Sequence, residues 1–322
     1  MPVIEITQDP AALTLTVVAE FAAPLRRVWD AYLDPRELER FWGPPTYPAT
    51  FLRHDAYPGG LSWYVMTGPE GDQHGGYWEW LRIDELRAFE VLDGFADLDG
   101  TPNREIPPMR MEIRFEEVDD GTRTVTTSQF ASLEALEQQV AMGVIEGLRA
   151  AMSQIDEVLA DLRTFAADQL TEAQLLSDTE IRVSRVIRGT VEQVWRAHHE
   201  PELMRQWLLG PEGWTMPVCD IATEVGHQYR YEWEQADGTG RFGFTGELLE
   251  SAAPHRAVTT ETMIGMDGPP TLNAMTLTPV DGGTLLVLRI TYPSQELRDM
   301  VLGTGMTDGM ETSYARLESL LT

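Results

Sequence analysis

The feature that most constrains this chain is a block of residues that it contains twice. Val28-Trp29-Asp30-Ala31, followed by Asp34-Pro35-Arg36-Glu37-Leu38-Glu39-Arg40-Phe41-Trp42-Gly43-Pro44, returns as Val194-Trp195-Arg196-Ala197 and then Glu200-Pro201-Glu202-Leu203-Met204-Arg205-Gln206-Trp207. A single offset of 166 superimposes the two blocks without a gap and goes on to match Gly60 with Gly226 and Trp63 with Tyr229. A period this long marks a duplicated domain rather than a solenoid, whose units run to roughly 20–50 residues. The 322 residues are therefore expected to form two domains, 1–166 and 179–322, joined by an Ala-, Gln- and Asp-containing linker at 167–178.

Each copy repeats one order of elements. In the first, the β-branched, largely alternating stretch Leu13 to Phe21 predicts a strand. Two short helices follow, the second with Asp34 as N-cap and Pro35 as its first residue. Short aromatic-rich segments between glycine, proline and aspartate turns then predict six strands up to residue 130. From Ser132 to about Phe165, Leu133, Leu136, Val140, Val144, Leu148 and Met152 recur at helical spacing and predict one long amphipathic helix. The second copy reads the same way from residue 180 to Leu321. Six consecutive strands without crossover helices exclude a parallel doubly wound sheet. The expected class is α+β: in each domain a curved antiparallel sheet of about seven strands wraps around a long C-terminal helix, with two short helices after the first strand. The polar stretch Asp93 to Pro108, present only in the first copy, is either an insertion or a flap over a pocket mouth.

Charge and composition narrow the partners. The formal net charge of −28 is spread over both halves and argues against nucleic acid and anionic lipid. All 24 cationic residues are arginine, so lysine Schiff-base chemistry and a phosphate-loop lysine are excluded. No run approaches the roughly 18 apolar residues of a membrane span, and the first residues lack the basic and apolar regions of a signal peptide, so a cytoplasmic protein is expected. The single Cys219 excludes a cysteine metal cluster and reads as a small buried apolar residue. None of the six histidines has metal-ligand spacing, and neither a metal nor a cofactor is expected. His74, His227 and Glu79 are the candidates for acid–base work. Glu79 faces inward if Trp78 and Trp80 face out, and outward in the opposite parity.

The doubled block, the Gly-Gly after a proline, and the final stretch Gly309-Met310-Glu311-Thr312-Ser313-Tyr314-Ala315-Arg316-Leu317 resemble the family named for activators of the Hsp90 ATPase, within the START-like helix-grip superfamily. The resemblance covers nearly the whole of each half. It implies an apolar cavity, with candidate lining residues Trp63, Tyr77, Trp78, Trp80, Met111 and Met142 in the first copy. In the second they are Tyr229, Tyr231, Trp233, Phe242, Phe244, Met263, Met306, Met310 and Tyr314. It also implies an architectural role for Trp29, Trp42, Trp195 and Trp207, packing the short helices on the sheet. This chain departs from the family's Gly-Trp in the last helix, having Gly147-Leu148 and Gly309-Met310. The tandem arrangement is similar to didomain polyketide aromatases and cyclases. The resemblance thus implies binding, and cofactor-independent cyclisation, of a hydrophobic small molecule such as a polyketide or polyene intermediate. Sequestration of a reactive metabolite without catalysis, and a stress or chaperone accessory role, stand as alternatives.

Overall fold

The computed structural model describes residues 2–161, 170–210 and 213–321. The chain divides into two compact units, Met1–Phe165 and Ala166–Thr322. The first contains β1 (Val3–Asp9), β2 (Thr14–Phe21), α1 (Leu25–Leu33), α2 (Pro35–Leu38), β3 (Ala49–His54), β4 (Leu61–Thr67), β5 (Gln73–Asp84), β6 (Ala88–Ala96), β7 (Met109–Val118) and β8 (Gly121–Gln129), then α3 (Leu133–Ala141), α4 (Val144–Met152) and α5 (Ile155–Ala160). The second contains β9 (Glu172–Leu175), β10 (Glu180–Ile187), α6 (Val191–His199), α7 (Pro201–Trp207), β11 (Trp214–Asp220), β12 (Gln228–Gln235), β13 (Arg241–Ala252), β14 (Arg256–Met263), β15 (Thr271–Val280) and β16 (Gly283–Thr291), then α8 (Gln295–Gly303) and α9 (Met306–Leu321).

Each unit is one antiparallel eight-stranded sheet, ordered β1-β2-β8-β7-β6-β5-β4-β3 in the first and β11-β12-β13-β14-β15-β16-β10-β9 in the second. The α+β class and the two grips hold, with one more strand per sheet than the expected seven. The additions are edge strands, β1 on β2 and β9 on β10. β1 exposes Ile4 and most of its polar residues, and β9 lies inside the stretch read as a linker. Edge strands are held by main-chain pairing to a neighbour, so their side chains carry little periodic signal. The linker residues 167–169 lie outside the described residues.

The long helix predicted from Ser132 is three helices, and its stretch 162–165 lies outside the described residues. α3 gives way to α4 at Gly143, with φ of +86°, and α8 gives way to α9 at Gly305, with φ of +78°. Left-handed backbone is open to glycine and strained for other residues, so the repeated glycine places the same break in both units. The predicted cap is present: the Asp34 side chain accepts from the Arg36 N–H at the start of α2, with Pro35 in the first turn. A buried ion pair fixes the helices of the first unit, Arg27 on α1 donating two hydrogen bonds of 2.6 and 2.7 Å to Glu37 on α2 and a third of 2.8 Å to the Val158 carbonyl of α5.

Candidate functional site

The inner faces of the two sheets differ in how they are filled. In the first unit one large cluster, whose aromatic rings touch in sequence, covers most of the inner face, with a small second cluster of Leu15, Phe130 and Leu136. Trp42 meets Trp78 at 4.6 Å between centroids, Trp80 meets Phe89 at 5.1 Å, and Trp29 meets Phe115 at 5.1 Å. Trp78 and Phe89 are 0% exposed. In the second unit the buried apolar residues fall into four separate clusters, between which Tyr231, Phe242, Phe244, Met275 and Met310 are only partly buried.

Strand pairing shows why. The N–H of Trp80 donates to the carbonyl of Gly60, and that of Leu248 to the carbonyl of His227, while Gly59 and Gly226 donate to the Trp80 and Leu248 carbonyls in turn. Leu248 thus occupies the place of Trp80. Likewise the Phe115 N–H donates to the Arg87 carbonyl and the Leu277 N–H to that of His255, which equates Phe115 with Leu277. Following the ladders from these anchors, Phe51 corresponds to Cys219, Trp78 to Gly246, Phe89 to Ala257, Val91 to Thr259 and Met111 to Asn273. Four inward positions that carry large rings in the first unit, Phe51, Trp78, Trp80 and Phe89, carry smaller residues in the second. Tyr64 is kept as Tyr231, and Ser62 and Gly76 give way to Tyr229 and Phe244. Close packing tolerates few voids, so the exchange of Trp78, Trp80 and Phe89 for glycine, leucine and alanine reshapes that interior.

Both units place a carboxyl at the same point of the inner wall, Asp93 on β6 and Glu261 on β14. Each is approached by a tyrosine that crosses the intervening strand over a glycine. Tyr64 lies across Gly76, where an added Cβ would stand 2.4 Å from the ring, and its hydroxyl is 3.5 Å from Asp93 Oδ1. Tyr229 lies across Gly246 in the same way, 2.8 Å from such a Cβ, with its hydroxyl 3.4 Å from Glu261 Oε2. Burial pushes Asp93 up to about 7, against the opposing influence of Tyr64 and Trp78. The indole N–H groups of Trp42 and Trp78 face Tyr64 and Asp93 without closing hydrogen bonds of normal length. Burial also raises Glu261, opposed by Asn273 and Tyr229, and raises Tyr292 to about 12, with the Glu261 charge adding to the effect.

A family model matches these two units one after the other. The model described as Activator of Hsp90 ATPase homolog 1-like protein covers residues 22–160 and again 188–322. The chain belongs to that family. Among solved structures it is similar to protein Ms6760 from Mycobacterium smegmatis, at 49% identity over 50% of this chain and 98% of that one, with a TM-score of 0.47. It is similar also to a protein from Arthrobacter aurescens, at 41% identity over 49% and 92% with a TM-score of 0.47, and to one from Rhodobacter sphaeroides, at 32% over 47% and 97% with a TM-score of 0.43. No curated protein matches the chain. The Activator of Hsp90 ATPase homolog 1-like fold is a helix grip that binds hydrophobic ligands generally.

Within this family member the predicted lining residues separate by strand parity. Trp78, Trp80 and Met111 point inward but are sealed in the core of the first unit. Trp63 and Tyr77 lie on the opposite, outer face and are covered by the loop 97–108, not by a ligand-facing wall. Arg104 of that loop donates to the Tyr77 hydroxyl at 3.1 Å and pairs with Glu79, and an added Cβ at Gly100 would stand 2.6 Å from the Trp63 ring. The loop therefore packs on the outer face of β4 and β5, and the flap reading is corrected. Glu79 faces outward with it, paired to Arg104 and away from the inner wall. Met142 is 58% exposed at the break between α3 and α4.

In the second unit Tyr229, Tyr231, Trp233, Phe242 and Phe244 share the inner face of β12 and β13, with Trp233 stacked on Phe242 at 5.0 Å. Met263 ends β14 beside Phe244. Met306 and Met310 reach the same interior from α9, where the Tyr292 hydroxyl lies 3.8 Å from Met306 Sδ. Tyr314 stacks on Trp207 at 6.0 Å and braces the helices. His74 is exposed beside Asp72, and His227 is exposed beside Glu224, both outside the interior. His198 and His199 donate from Nδ1 to the Val194 and Trp195 carbonyls within α6, a local role. Cys219 is buried against Met204, and burial raises its thiol to about 11. Among the described residues no group of His, Cys, Asp and Glu is arranged to hold a metal ion, and no helix is long and apolar enough to cross a membrane. Residues missed from the sequence are Asp93, Glu261 and Asn273. Glu261, set in a run of threonines on β14, had no periodic signal to mark it.

Proposed function

We propose that the chain binds a hydrophobic small molecule inside the second grip, and that the first grip is a filled copy that serves as scaffold. One observation carries this: inward positions held by Phe51, Trp78, Trp80 and Phe89 in the first unit are held by Cys219, Gly246, Leu248 and Ala257 in the second. Partly buried Tyr231, Phe242 and Phe244, with Met275 and Met310, supply an aromatic and adaptable surface of the kind that lines small-molecule sites. A polyketide or polyene intermediate has the matching chemistry. The carboxyl and phenol groups of this interior suit proton movement more than nucleophilic attack, since the buried Cys219 thiol is held well above neutrality.

The test is a fluorescence titration of the full chain with Nile red, a neutral hydrophobic probe. One equivalent per chain is expected. The variant Leu248→Trp/Ala257→Phe, which installs the rings of the first unit, should lose binding at least tenfold while keeping its circular dichroism spectrum. Undiminished binding in that folded variant, or none in the native chain, would sink the proposal.

A further inference from the structure

Three polar side chains converge on the inner wall of the second unit, where the first unit has a carboxyl and a tyrosine but an apolar residue in the place of the third. Tyr229 comes from β12, Glu261 from β14 and Asn273 from β15, and β13 passes between the first two with only Gly246. Their counterparts are Ser62, Asp93 and Met111. Ser62 is committed elsewhere, accepting from Trp80 Nε1 at 2.9 Å and bonding His54 Nδ1 at 2.9 Å. Asp93 is sealed beneath Trp78.

The hydrogen-bonding capacity of the three is not used up. Tyr229 has one hydroxyl proton and two acceptors in reach, the Thr260 carbonyl at 2.9 Å and Glu261 Oε2 at 3.4 Å. The nearer carbonyl takes the proton, since hydrogen bonds weaken with distance. That leaves the Glu261 carboxyl with Asn273 at its side, and Asn273 Oδ1 is buried with no partner among the described residues. Leaving a buried acceptor unmade is costly, and native interiors seldom do so. Glu261 is half-buried and lies two residues before the exposed Met263, so the group sits towards the open end of β14. A hydroxyl can donate its one proton to Asn273 Oδ1 while its oxygen accepts from the Glu261 carboxyl in the protonated form that burial favours.

The geometry points to Glu261, Asn273 and Tyr229 as a clasp for a hydroxyl group on the otherwise hydrophobic ligand. This specificity site rests on the reading of the second unit as the occupied grip. It predicts that the chain distinguishes two molecules of one shape that differ by a hydroxyl.

Calorimetric titration of the full chain with naphthalene and with 1-naphthol tests the clasp. The native chain should bind 1-naphthol about tenfold more tightly, the reverse of what solubility in water alone would favour. Asn273→Met/Glu261→Leu should bring the ratio close to one while naphthalene still binds. Glu261→Gln, which keeps a donor and an acceptor, should retain most of the preference and guards against misfolding of the double variant. Equal affinities in the native chain, or a preference that survives the double variant, would overturn the clasp and leave the grip standing. Failure of both molecules to bind would overturn the grip and the clasp with it.

Discussion

Replacing Asp93 by asparagine should stabilise the first unit, and by an amount that depends on pH. Asp93 is almost fully buried on β6, opposite Trp78, and burial carries it from 3.8 up to about 7. Its pKa in the folded state thus lies above that in the unfolded chain. Below about pH 4 both states are protonated and the group has no net effect on stability. As pH rises from about 4 to 7 the unfolded chain gives up its proton while the folded one retains it, and stability falls. Three units at about 1.4 kcal/mol each amount to about 4 kcal/mol, complete near pH 7. Asparagine keeps the shape without the titration. The difference between Asp93→Asn and the native chain should therefore widen by about 3 kcal/mol between pH 4.5 and pH 8. For a unit of this size that is roughly 10 °C in Tm, read by scanning calorimetry on the transition that moves. Any constant difference between the two side chains cancels in that comparison. A gap that does not change with pH, or one that narrows as pH rises, would refute the burial argument.

Other perturbations have equally definite expectations. His198 is held down to about 4 by burial, so its folded pKa lies below the 6.5 of the unfolded chain. The second unit should then lose stability as pH falls through 6.5 towards 4, by about 3 kcal/mol, and His198→Tyr, the residue at Tyr32 in the first unit, should remove that sensitivity in acid denaturation curves. Arg27→Met leaves Glu37 buried without its bidentate partner and should cost about 3–5 kcal/mol in urea unfolding, with Arg27→Met/Glu37→Leu recovering most of it. Gly305→Ala forces a side chain into the left-handed break between α8 and α9 and should cost about 1–2 kcal/mol, whereas Gly309→Ala within α9 should be neutral or slightly stabilising.

Much of the architecture was legible because it rests on local signals. The Asp34-Pro35 start of α2, the hairpin turns and the alternating strands are each specified by a few adjacent residues. The inner wall was not legible for the opposite reason. On β5 aromatic residues occur on both faces, Tyr77 outward beneath Arg104 and Trp78 with Trp80 inward, so alternation alone could not say which ring faces the core. The edge strands β1 and β9 depend on main-chain pairing to a neighbour and escaped for that reason.

The sequence by itself determined that there are two copies of one helix grip, since periodicity and turn chemistry are local and the duplication preserves them. Only the tertiary structure decided that the copies have diverged inside. Trp78 and Gly246, Phe89 and Ala257, Met111 and Asn273 become counterparts through strand register, and the sequence offset rises from 166 in the helices to 168 on β6 and falls to 162 on β7 as loops lengthen and then shorten. Likewise Tyr229, Glu261 and Asn273, far apart along the chain, meet because a glycine on β13 lets a tyrosine ring cross it. Hydrogen-bonded register brings such residues together, and no window of the sequence contains it.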